Sequence, residues 1–151
     1  FLDLDERLLD LASKLELCYS PIADVKPFPD HVDVTLVEGA LANYDHVEEI
    51  KHIRARTKVL IAFGDCAVTG NVTSMRNPLP VGDVLAGSYG DPRFGRQQGV
   101  LPVLLPEVRP LHQAVKIDHF LPGCPPSADK IFEVVASLLG QRPSTEEKRF
   151  G

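Results

Sequence analysis

The sequence is poor in the residues that mark several protein classes. It holds three cysteines, Cys18, Cys66 and Cys124, in 151 residues. A small odd number cannot build a disulfide framework; it fits a reducing compartment or metal ligation. Basic blocks are absent, and 21 acidic against 16 basic residues leave a net charge of −5. That balance argues against nucleic acid and anionic membrane as partners. No apolar run approaches the ~20 residues of a membrane span. The opening Phe1-Leu2-Asp3-Leu4-Asp5 has no charged n-region, no apolar h-region and no initiator methionine. The chain is therefore expected to be N-terminally incomplete. Gly-x-Gly-x-x-Gly, a Walker loop and Gly-x-Ser-x-Gly are all missing.

What is present is an ordinary globular composition, 44% apolar and 25% charged. A chain of this length is expected to form one domain, residues 1–151, burying roughly 68–70% of its unfolded surface. Leu4, Leu8, Leu11, Ala12 and Leu15 repeat at three and four, which predicts a helix over Leu2–Leu17. A short strand is expected at Leu17–Ser20, then a loop around Pro21, Pro27 and Pro29. Val32–Val37 is rich in β-branched residues and predicts a strand, with Glu38 at its carboxyl end. Asn43 suits the cap of a helix over Tyr44–Ala55, acidic early and basic late. Val59–Phe63 reads as a strand covered on both faces.

Gly64–Pro80 is expected to be a loop, and Val81–Tyr89 a short helix. Gly90–Gly99 is a Gly/Arg/Gln-rich connection. Prolines 102, 106 and 110 exclude a central strand over Val100–Leu111. The last strand is expected at Ile117–Leu121, and a helix at Ser127–Leu139, stopped by Gly140. The tail from Gln141 is polar. This order predicts an α/β fold: an open, mostly parallel flavodoxin-like sheet flanked by helices, with an irregular insert before the last strand.

Two cysteines occupy a special context. Cys124 follows Leu121-Pro122-Gly123, a strand end that turns through glycine and is stiffened by Pro125 and Pro126. Cys66 follows Phe63-Gly64-Asp65 at the end of another strand. Carboxyl ends of parallel strands are where α/β folds carry their chemistry. Cys18 is expected to be a packing residue. The five histidines show no metal-ligand spacing to either loop cysteine, and two cysteines alone do not close a four-thiolate site.

The resemblance of the chain to a known family rests on residues along its whole length. They are Phe1-Leu2-Asp3-Leu4-Asp5-Glu6-Arg7-Leu8, Leu36-Val37-Glu38-Gly39-Ala40, Phe63-Gly64-Asp65-Cys66-Ala67-Val68-Thr69-Gly70-Asn71, Met75-Arg76-Asn77 and Pro122-Gly123-Cys124-Pro125-Pro126-Ser127-Ala128-Asp129. Together they resemble the small subunit of [NiFe] hydrogenases, of the bidirectional NAD-reducing type. The resemblance implies a proximal 4Fe–4S cluster, with Cys66 and Cys124 as its third and fourth ligands. Two further cysteine ligands, a Cys-x-x-Cys, are then expected upstream of Phe1. It implies a large partner subunit carrying the Ni–Fe site, and diaphorase subunits carrying further Fe–S clusters, FMN and the NAD site. It implies a cytoplasmic enzyme complex, and places Glu38 near the cluster, as a hydrogen-bonding neighbour or proton relay. The alternatives are the cluster-bearing subunit of respiratory complex I or a membrane-bound relative, and a flavodoxin-like module binding FMN.

Overall fold

The computed structural model describes residues 2–20, 27–94 and 101–140. Residues 21–26, the stretch 95–100 of the insert and the tail from Gln141 lie outside the described residues. The main sheet is formed by β1 (Val32–Glu38), β3 (Thr57–Phe63) and β5 (His119–Leu121), in the order β1-β3-β5 and all parallel. Between β1 and β3 run a short strand, β2 (Leu41–Asn43), and helix α2 (Tyr44–Arg56). The α/β class and the parallel sheet flanked by helices agree with the sequence.

Strand β3 explains how one short sheet supports two cores. Its side chains alternate between faces, so Leu60 and Ala62 enter one core while Ile61 enters the other. All three are wholly buried. The first core gathers Ile50 and Ile53 of α2, Leu41, Leu105, Leu111 and Ile117. The second gathers Leu4 and Leu11 with Ile131 and Val135 of the C-terminal helix α5 (Ala128–Leu138). Burying a side chain of this size stabilises by about 1.5–3 kcal/mol. Arg7 fastens this second layer at the surface, pairing with Asp129 at 2.8 Å and lying 5.3 Å from the Phe132 ring centre.

The caps read from the sequence are in place. The Asn43 side chain accepts from the His46 N–H at 2.8 Å at the start of α2. Ser127 caps α5, and Gly140 ends it with φ +72° and its N–H donating to the Ser137 carbonyl.

The chain departs from the sequence reading in four places. The expected helix over Leu2–Leu17 is a 3-10 turn at Leu2–Leu4 followed by a short α1 (Glu6–Ala12). Asp5 at φ 50° separates them, and the Ser13 hydroxyl donates to the Asp10 carbonyl where the helix stops. Beyond it Leu15 and Leu17 are exposed, so there is no core for the stripe to cover. Leu17–Ser20 is irregular, not a strand, and Cys18 is half-buried in that connection. The expected loop after β3 contains α3 (Gly64–Thr69) and a 3-10 turn (Asn71–Arg76). Its buried pair Ala67 and Val68 is too short to show a period. Finally, Val81–Tyr89 is α4 as expected, and the insert expected to be irregular contains a strand, β4 (Leu104–Arg109), although, as the prolines required, not a central one.

Strand β4 pairs antiparallel with β2, apart from the main sheet, with an irregular register between Leu41 and Asn43. A two-stranded ribbon tolerates Pro106 because each strand has a free edge. That edge is held by side chains. The Arg76 guanidinium donates to the carbonyls of Ala42, Leu105 and Pro106 at 3.1, 2.9 and 3.3 Å. The Asn77 amide pairs with both backbone groups of Val108, at 2.9 and 2.7 Å, as a neighbouring strand would.

Candidate metal centre

The register sets the site. Glu38 pairs with Phe63, and Phe63 with Leu121, so the three parallel strands end in one row. The loops at Gly39, at Gly64–Cys66 and at Pro122–Cys124 leave from that row. Cys66 and Cys124 therefore come together on one rim, as the strand-end argument required. Cys66 is half-buried in the first turn of α3, and Cys124 is exposed. Glu38 is exposed on the same rim. Cys18, in the irregular connection after α1, belongs to a different segment.

A reciprocal clasp locks the two cysteine loops together. The Asp65 N–H donates to the Gly123 carbonyl at 2.9 Å. The Gly123 N–H donates to the Asp65 carboxylate at 2.7 Å. Cys66 and Cys124 each follow one residue behind a clasped position. Only glycine fits at 123: φ is +143°, and a Cβ there would lie 2.5 Å from the Pro126 Cα and 2.7 Å from its N. The chain doubles back tightly on itself at this point, through a cis Cys124–Pro125 bond. Gly64, at φ +83°, faces the Gly123 carbonyl from the other loop.

The donor set suits a soft metal centre. Two thiols on adjacent loops match iron held by thiolates better than a hard cation, which requires oxygen ligands. Among the described residues, no three His, Cys, Asp or Glu side chains converge as a complete metal site. What fits is half of a four-thiolate site. Three of the histidines are engaged elsewhere: His46 with Asn43, His52 with Arg56, and His112 edge-on to Phe120.

A second surface lies downstream of Cys66. Val72, Met75, Leu79, Tyr89 and Val103 are exposed apolar side chains. Leu79 and Val103 also line a groove of about 580 Å³, together with Tyr44, Pro78 and Pro106. No helix among the described residues is long and apolar enough to cross a membrane.

Sequence reasoning finds the two cysteines but misses the clasp and α3. Asp65 lies inside a family motif, yet nothing in the spacing reveals which loop its carboxylate reaches. Arg76 and Asn77 likewise belong to a motif that carries the resemblance, and the structure shows that they hold β4.

The chain belongs to the family of the NADH ubiquinone oxidoreductase 20 Kd subunit, whose model matches residues 1–138. Within that breadth its similarity is to hydrogenase subunits. It is 38% identical to the delta subunit of the NAD-reducing hydrogenase HoxS of Cupriavidus necator, over 95% of this chain and 72% of that one. It is 34% identical to a subunit of the vhu F420-non-reducing hydrogenase of Methanocaldococcus jannaschii, over 97% of this chain. It spans about half the length of that relative, 53%. A crystal structure of an NAD+-reducing [NiFe]-hydrogenase in the H2-reduced state superposes with a TM-score of 0.84 and 33% identity, covering 95% of this chain and 84% of that one. The resemblance read from the motifs is thereby borne out.

Proposed function

We propose that this chain is the electron-transfer small subunit of an NAD-reducing [NiFe] hydrogenase, and that Cys66 and Cys124 are two thiolate ligands of its proximal 4Fe–4S cluster. The observation that carries the reading is the clasped rim, on which the residues just before Cys66 and Cys124, far apart in sequence, are hydrogen-bonded to each other. The other two ligands are assigned to cysteines outside the present sequence.

When bound, such a cluster supplies one-electron transfer. The chain's own residues supply the rest. Thiolates of Cys66 and Cys124 provide soft, anionic ligation, and the Asp65–Gly123 clasp fixes their loops. Backbone N–H groups of the surrounding turns tune such sulfurs by hydrogen bonding. Glu38, on the same rim, is read as a carboxylate able to hold or pass a proton. The exposed apolar side chains Val72, Met75, Leu79, Tyr89 and Val103 suit burial against another subunit. The proposed partners are the large subunit with the Ni–Fe site, and diaphorase subunits carrying Fe–S clusters, FMN and the NAD site. The whole is read as one cluster-bearing domain in a cytoplasmic complex.

The test is iron and acid-labile sulfide analysis with EPR on the reduced, purified complex. Cys66→Ala or Cys124→Ala should remove the signal of one cluster and uncouple NAD reduction from H2. An unchanged signal in either variant would refute the ligand assignment. Bound flavin with no iron in this subunit would instead favour an FMN module.

A further inference from the structure

We infer that Asp65 is a positioning residue for the metal centre, through the hydrogen bond that its carboxylate accepts from Gly123. This rests on the cluster reading above. Ladder pairing between β3 and β5 ends at Phe63 and Leu121. Beyond that row the β3 chain turns into α3 at Gly64, so no β3 carbonyl continues the ladder. The Asp65 carboxylate stands in for it, taking the Gly123 N–H at 2.7 Å, while the Asp65 N–H donates to the Gly123 carbonyl at 2.9 Å. One residue thus satisfies both main-chain polar groups of a glycine that has no side chain of its own. The bond to the carboxylate is charge-assisted and among the stronger kind. Each cysteine directly follows a clasped residue, so the clasp ties together the backbones of the two cysteine loops.

Asp65 also adds charge. Among the described residues no lysine or arginine forms an ion pair with it. An uncompensated carboxylate next to a redox centre favours the oxidised form, because reduction adds negative charge.

The two contributions separate by substitution in the intact complex. Asp65→Ala removes the acceptor; Asp65→Asn keeps an oxygen acceptor and removes the charge. Iron release to a chelator, EPR of the reduced complex and a redox titration are the readouts. The Ala variant should lose iron about 10-fold faster than wild type and broaden the cluster signal. The Asn variant should hold iron at nearly the wild-type rate and show a raised midpoint potential. If the complex assembles with Asn but not with Ala, the acceptor role is supported. Equal behaviour of Ala and wild type, or equal failure of Ala and Asn, overturns the inference. A complex whose EPR survives Cys66→Ala or Cys124→Ala sinks the cluster reading instead; a normal cysteine dependence with an indifferent Asp65 sinks only this inference.

Discussion

The β3–β5 pair is clasped at both ends by the same device, and the two ends differ in what surrounds it. At the lower end the Leu60 N–H donates to the Asp118 carboxylate at 2.8 Å, and the Asp118 N–H donates to the Leu60 carbonyl at 2.9 Å. At the upper end Asp65 and Gly123 repeat that pattern with the strands' roles exchanged. Asp118 is accompanied by a cation. Arg54, at the end of α2, donates to it and also to the carbonyls of Thr57, Lys58 and Lys116. Asp65 has no such companion among the described residues, and a cysteine follows each residue of its clasp. One end is neutralised and tied into the helix layer, as a stability element would be. The other has no cation paired with it among the described residues and lies on the cysteine rim. The same hydrogen-bond chemistry thus serves structure at one end, and on the reading above serves the metal centre at the other.

Substitutions at the two ends put this contrast to the test. The largest effect is expected on the cysteine rim, at Glu38 of the neighbouring strand β1. Glu38→Gln should slow H2 oxidation and H/D exchange by about 100-fold if the carboxylate relays protons, with thermal stability unchanged. Unaltered rates would remove Glu38 from the mechanism.

Next comes Asp118→Ala, which leaves the Leu60 N–H without its acceptor and Arg54 without its carboxylate partner. It should cost about 2 kcal/mol in denaturant unfolding, with the cluster EPR signal of the assembled complex unmoved. A shifted potential there would erase the difference between the two clasps.

The pH dependence of the same group follows from its environment. Burial pushes the Asp118 carboxyl up, but the Leu60 N–H, the Arg54 hydrogen bond and charge, and Lys116 outweigh it and hold the pKa below the ordinary value. A carboxyl depressed in the folded state contributes stability that is fully present above its unfolded pKa, about 3.9. That contribution is lost as the pH falls through the folded value. Asp118→Asn should therefore flatten the stability profile below about pH 4, and an unchanged acid slope would contradict the assignment.

The smallest effect is expected at the ribbon. Arg76→Ala should cost about 1 kcal/mol by releasing β4, without altering iron content. Loss of iron in that variant would mean that the ribbon and the rim are one unit.

Much of the fold was legible in the sequence where a long pattern spoke for a long element. The apolar run of β3, the charge order and Asn43 cap of α2, and the stripe of α5 all reported themselves. So did the placing of Cys66 and Cys124, because glycine just after an apolar strand marks a strand-end turn. The rest depended on pairing between distant segments. β2 is three residues long and exists only because β4 lies beside it. The helix α3 shows one buried pair, too little for periodicity. The stripe from Leu4 to Leu15 overstated α1 because it could not reveal where the covering core ends. The clasps were invisible because the partners of Asp65 and Asp118 lie 58 residues away in the chain.

The clasp at Asp65 spans a sequence separation of 58 residues. Bringing two points that far apart together costs on the order of 4 kcal/mol in loop-closure entropy. The parallel β3–β5 pairing, which ends at Phe63 and Leu121, already draws these two points together, so the clasp shares one closure cost with the sheet. The rim is in this sense an extension of the ladder: the chain entropy spent on joining the strands also sets the two cysteine loops against each other.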